Sequence, residues 1–92
     1  MTVNLADRRY NIYWISIDGS IRHELGVQLP DIGVLQQFVG GPIERVGQLM
    51  EYEVTGLDPQ VAKRGGAPAN IVASAYCRAT IYGLAIVTMR VR

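Results

Sequence analysis

The residues closest to a binding chemistry are Lys63-Arg64-Gly65-Gly66-Ala67-Pro68-Ala69-Asn70. A basic pair runs into two glycines, and Asn70 stands where it can cap a following helix. Exposed backbone N–H groups, a helix N-terminus and two cations together attract a phosphate or a similar anion. The pattern is not a P-loop, because the lysine precedes the glycines and no Ser or Thr follows in place. A plain surface loop with unremarkable charges accounts for the same residues.

A second group lies near the start of the chain. Arg8 and Arg9 precede Tyr10, Tyr13 and Trp14, an arrangement that could stack a base beside a basic tip. Core packing or subunit contact is the competing reading of these rings. Glu44 follows Gly40-Gly41-Pro42-Ile43 and could receive a ligand hydroxyl or a partner's arginine, or simply hold the loop. The glycines themselves follow a helix C-terminus, whose negative dipole end disfavours an anion, so they read as structural.

Nothing in the sequence assembles a catalytic set. His23 is the single histidine and Cys77 the single cysteine, and no acidic or Cys cluster at metal-ligand spacing accompanies either. Glu51 and Glu53 sit two apart, as a carboxylate pair for acid–base work would. A solvated sheet face explains them equally simply. The expectation is a protein that is not an enzyme, with no catalytic residue, no metal and no cofactor.

Composition narrows the partners. The chain has 92 residues, 49% of them hydrophobic and only 18% charged, against roughly 25% charged in an average domain. Apolar surface beyond what one small core can hide is simplest to bury in a homo-oligomer. A net charge of +1 provides no field to gather a long nucleic acid or an acidic membrane. Eight arginines stand against one lysine, which suits forked recognition of carboxylate or phosphate. A single cysteine implies a reducing cytoplasm. The first residues lack the apolar core of a signal peptide, and no apolar run reaches the ~20 residues that span a bilayer.

The elements that must position these residues follow from periodicity. Residues 1–8 read as a loose lead-in and 9–92 as one α+β domain. Tyr10 to Ile17 is a strand apolar on both faces, Asp18-Gly19 a hairpin turn, and Ile21 to Leu25 a short edge strand carrying Arg22, His23 and Glu24. Asp31 caps a helix whose stripe is Ile32, Leu35, Phe38 and Val39, and Gly40 ends it. Ile43 to Val54 is strand-like with a break near Gly47, and Gly56 to Pro59 is a turn. Gln60 to Pro68 reads as an exposed loop, Asn70 to Cys77 as a second short helix, and Thr80 to Val91 as the last strand. Gly83 and Ala85 on one face of that strand leave room for a helix to approach. The expected order is β-β-α-β-β-α-β, a small mainly antiparallel sheet with two short helices on one face.

Three segments together resemble a family of small phage and bacterial proteins, a domain of unknown function. They are Ile15-Ser16-Ile17-Asp18-Gly19, Leu35-Gln36-Gln37-Phe38-Val39-Gly40-Gly41-Pro42-Ile43-Glu44-Arg45-Val46, and Asn70-Ile71-Val72-Ala73-Ser74 with Ile81-Tyr82-Gly83-Leu84-Ala85-Ile86-Val87. The family pattern is Val-Gly-Gly-x-Ile-Glu-x-Val after a helix, then Asn-x-x-Ala and a closing Ile-x-Gly-x-Ala-Ile-Val strand. Pro42, and the insert-like Ala62 to Pro68, depart from it. The resemblance implies a fold and a phage or bacterial setting, and no activity.

Two functions are expected from this reading. One is a homo-oligomeric binding module for a small anionic ligand such as a nucleotide, by analogy with small phage proteins that sequester the nucleotide signals of host immunity. The other is a protein-interaction module that inhibits or assembles with a host or phage protein.

Overall fold

Two runs of residues carry apolar side chains on both of their faces, and both end up inside the sheet. The computed structural model describes residues 8–75 and 80–91. Its strands are β1 (Arg9–Ile15), β2 (Ile21–Val27), β3 (Ile43–Leu49), β4 (Tyr52–Leu57) and β5 (Ala85–Val91), in the spatial order β2-β1-β5-β4-β3. Every neighbouring pair is antiparallel. Ala85, Ile86 and Val87 of the central strand are fully buried in succession, as a strand covered on both sides requires. On β1, Ile12 and Trp14 face one way and Tyr13 and Ile15 the other. The edge position expected for Ile21 to Leu25 is observed, with six of the seven residues of β2 exposed.

Three short helices complete the domain, α1 (Ile32–Val39), α2 (Pro59–Arg64) and α3 (Ile71–Ser74). The α+β class holds, but the helices do not share a face. Leu35 and Val39 of α1 pack on Ile12, Trp14 and Ile86, whereas Ala73 of α3 packs on Ile15, Val54 and Val87. The sheet is therefore covered from both sides. Ala73 of α3 and Ala85 of β5 are both fully buried in one cluster, and such small side chains let a helix approach the sheet closely.

The segment Gln60 to Pro68 is not all loop. Asp58 accepts a hydrogen bond from the Gln60 N–H at 2.9 Å, and Pro59 occupies the first helical turn. That is a helix start, so Gly56 to Pro59 is a strand end and a cap rather than a free turn. The break expected near Gly47 is a bulge between Arg45 and Gly47. The chain reverses instead at Met50 and Glu51, with Met50 at φ 54°. A two-residue hairpin loop with positive φ at its first position normally takes glycine.

Gly40 closes α1 in the left-handed conformation, φ 91°, donating to the Gln36 carbonyl at 2.8 Å. Asp31 occupies the N-cap position, but its side chain makes no capping bond. Ile32, placed in the apolar stripe by its spacing, is 64% exposed. The last two residues of the expected second helix, Tyr76 and Cys77, and most of the lead-in lie outside the described residues. Among the described residues no helix is long and apolar enough to cross a membrane.

Candidate functional site

Lys63 and Arg64 form the last turn of α2, where two cations suit the negative helix end. The glycines close this helix rather than open the next. Gly65 donates to the Val61 carbonyl at 3.0 Å, Gly66 to Lys63 at 3.3 Å, and Ala67 to Ala62 at 3.0 Å. Gly66 sits at φ 66°, a left-handed turn residue. The N–H groups that an anion would need are spent on the helix's own carbonyls.

Asn70 is wholly buried. Its side-chain oxygen accepts from the Ala73 N–H at 3.0 Å, which is the cap expected from its position. Its amide donates to the Gly83 carbonyl at 2.9 Å and the Ile15 carbonyl at 3.3 Å. Ser74 extends the knot, with its hydroxyl donating to the Asn70 carbonyl at 2.7 Å and accepting from the Ile81 N–H at 2.8 Å. Asn70 thus ties β1, α3 and the approach to β5 together. No part of its amide faces solvent.

Trp14 is also committed. Only 3% of it is exposed. Its indole N–H donates to Glu24 at 2.8 Å, Phe38 meets it edge-on at 5.0 Å between ring centres, and the Arg22 guanidinium lies 5.0 Å over its face. A ligand base would have to displace Arg22 to stack there.

Arg8 and Arg9 stand at the far end of β1 from the Asn70 knot. Six strand steps separate Arg9 from Ile15, on the order of 20 Å. Arg8 lines a polar hollow with Tyr10, Glu51, Glu53, Thr88 and Arg90. Its Nε is buried there without a hydrogen-bond partner among the described residues. Two carboxylates offset the two arginines, and Glu53 also meets Arg45 at 3.5 Å. Glu44 is exposed on the outer strand β3, opposite Gly56. The residues singled out by sequence are therefore spread over several places. His23 lies on β2 with its ring tilted 6.4 Å from that of Tyr13, and Cys77 is outside the described residues.

A mostly apolar concavity takes in Lys63. A cleft of about 240 Å³ opens between α2, the β3–β4 hairpin and residues 80–82. Val46, Leu57, Ala62 and Ile81 make its apolar walls, Pro59 and Thr80 complete it, and Lys63 and Tyr82 bring polar groups. Lys63 is the charged residue of that lining. Such a lining offers one cationic group beside apolar walls, the general make-up of a small-molecule site. Val46 comes from β3, Leu57 from β4, and Thr80 and Tyr82 from the segment before β5, so no local pattern marks them in advance.

Comparison with family models, with curated proteins and with solved structures returns no match for this chain. The resemblance carried by Val39 to Val46 consequently lends no role to any residue of the cleft.

Proposed function

We propose that this chain is a non-enzymatic binding module that works as a homo-oligomer and holds a small anionic ligand at the α2 cleft. The carrying observation is the cleft lining, apolar walls with Lys63 as their one charge. A cavity of about 240 Å³ is below the roughly 300–1,000 Å³ of sites for drug-sized ligands. It fits a short apolar acid or the base end of a mononucleotide. A phage-encoded sponge for a nucleotide signal is the specific form of this reading.

The test is thermal unfolding against a panel of linear and cyclic nucleotides and short-chain carboxylates. A ligand at a hundred times its Kd stabilises by about 2.7 kcal/mol. For a domain of this size that raises Tm by roughly 10 °C or more. Lys63→Gln should abolish the shift while lowering the unliganded Tm by only a few degrees, because Lys63 is exposed and contributes only its favourable place at the end of α2. A folded protein that no member of the panel stabilises overturns the reading.

A second reading, a protein-interaction module, is favoured by the exposed length of β2. An unpaired strand edge is a template for another chain. Capture of a host or phage protein at one-to-one stoichiometry, lost on introducing proline into β2, would favour it.

A further inference from the structure

We propose that β2 pairs antiparallel with β2 of a second copy, with His23 on the two-fold axis, so that two sheets join into one. This deepens the homo-oligomer part of the reading above by assigning its interface. Strand β2 is the outer strand on its side of the sheet. It carries no proline, and it exposes Ile21 (42%) and Leu25 (60%). Its one irregularity, where Leu25 and Gly26 share a single partner on β1, falls toward its end. The opposite edge, β3, has its bulge in mid-strand between Arg45 and Gly47, a device that spoils edge pairing.

Symmetry restricts the register. A two-fold axis perpendicular to an antiparallel pair passes through the centre of a residue pair. One residue of β2 must therefore face itself. Arg22 on the axis sets arginine against arginine, and Glu24 on the axis sets glutamate against glutamate. Leu25 on the axis leaves neither ion opposite its counterpart. With His23 on the axis, Arg22 faces the partner's Glu24 and Ile21 faces the partner's Leu25, each twice. Opposite charges and paired aliphatics across a ladder are the stabilising cross-strand combinations.

The free chain already holds these ions in place. Arg22 and Trp14 are cross-strand partners, as are Glu24 and Ile12, so both charged side chains lie on the α1 face. The Arg22 guanidinium is stacked on Trp14, and one Glu24 oxygen accepts from the indole N–H. Stacking leaves the in-plane N–H edge of a guanidinium able to donate. The second carboxylate oxygen of Glu24 likewise remains an acceptor. Ile21 and His23 alternate onto the opposite face.

The experiment is sedimentation equilibrium on the full chain without ligand, with circular dichroism to show that each variant is folded. Wild type should have the mass of a dimer. Arg22→Glu opposes two carboxylates, Glu24→Arg opposes two guanidinium groups, and each should weaken dimerisation by about tenfold or more. The double variant R22E/E24R should restore it, although it loses both contacts to Trp14. In a Cys77→Ser background, His23→Cys should cross-link across the axis, whereas Gln48→Cys on β3 should not. A wild-type mass of one chain at micromolar concentration overturns the proposal. So does an oligomer indifferent to both charge swaps. The cleft lies on the β3–β4 side of the sheet, so loss of the Lys63-dependent ligand shift would leave this result untouched, and the reverse.

Discussion

The helices on the two faces of the sheet are held by different forces. α1 spans two turns and rests on apolar contact, with Leu35 and Val39 buried and Phe38 edge-on to Trp14. α3 has four residues, too few for a helix to persist on its own hydrogen bonds. It is fastened by the buried amide of Asn70 and the Ser74 hydroxyl. A long enough stripe can do with packing what a single turn must do with directed polar bonds. Directed bonds fail all at once when the group that makes them is removed.

Asn70→Ala should therefore be the most damaging change. It removes the side-chain partner of the Gly83 carbonyl and of the Ala73 N–H inside the protein, and a longer bond to the Ile15 carbonyl. Each orphaned group costs about 1–3 kcal/mol, and the whole domain has only on the order of 5–14 kcal/mol of stability. Urea unfolding should show a loss of about 4 kcal/mol, or no folded baseline at all. Leu35→Ala, on the other face, should cost about 2–3 kcal/mol by loss of burial and a residual cavity. If the two substitutions prove equal, the contrast between the helices fails.

Caps sharpen the same contrast. Asp58 accepts a hydrogen bond at the start of α2, whereas the Asp31 side chain accepts none at the start of α1. Asp58→Ala should lower stability by about 1 kcal/mol, and Asp31→Ala by less than about 0.5 kcal/mol. Matched thermal melts decide between them.

The smallest effect belongs to the β1–β2 turn, which reaches α3 where Gly19 lies beside Val72. The Ser20 N–H, then the Ser20 hydroxyl, donate to the Asp18 carboxylate at 2.9 and 2.7 Å and lower its pKa. A depressed carboxylate contributes stability that is present above its ordinary pKa and lost as pH falls through the lowered one. Wild type should thus exceed Asp18→Asn slightly at pH 7. The margin should close below about pH 4, as read from melting curves across the acid range.

Much of the sheet was legible because burial writes alternation and apolar runs into a strand. Tyr10 to Ile15 and Ala85 to Val87 declare their two covered faces, and Gly40 declares the end of α1. Asn70 was legible as a cap, but a cap is ordinarily a surface residue, and nothing local announces that this one is buried. α2 was obscured because its six residues are too few to show a helical stripe and its Asp58-Pro59 start also reads as a turn. The Met50 reversal carries no glycine to mark it. The side of the sheet each helix takes depends on how the connections cross it, which spacing along the chain does not encode. For the same reason the α2 cleft, assembled from four separate segments, shows in the sequence only through Lys63.

The pairing of β1 with β5 has a consequence for how the molecule comes into being. The seam at the middle of the sheet joins β1 to β5, the first and last of the five strands in chain order. The β1–β2 hairpin and the β3–β4 hairpin can each form locally, but neither is joined to the other until β5 slots between them. A ribosome releases β5 after the other four strands, so a nascent chain carries two unjoined ribbons until that strand emerges.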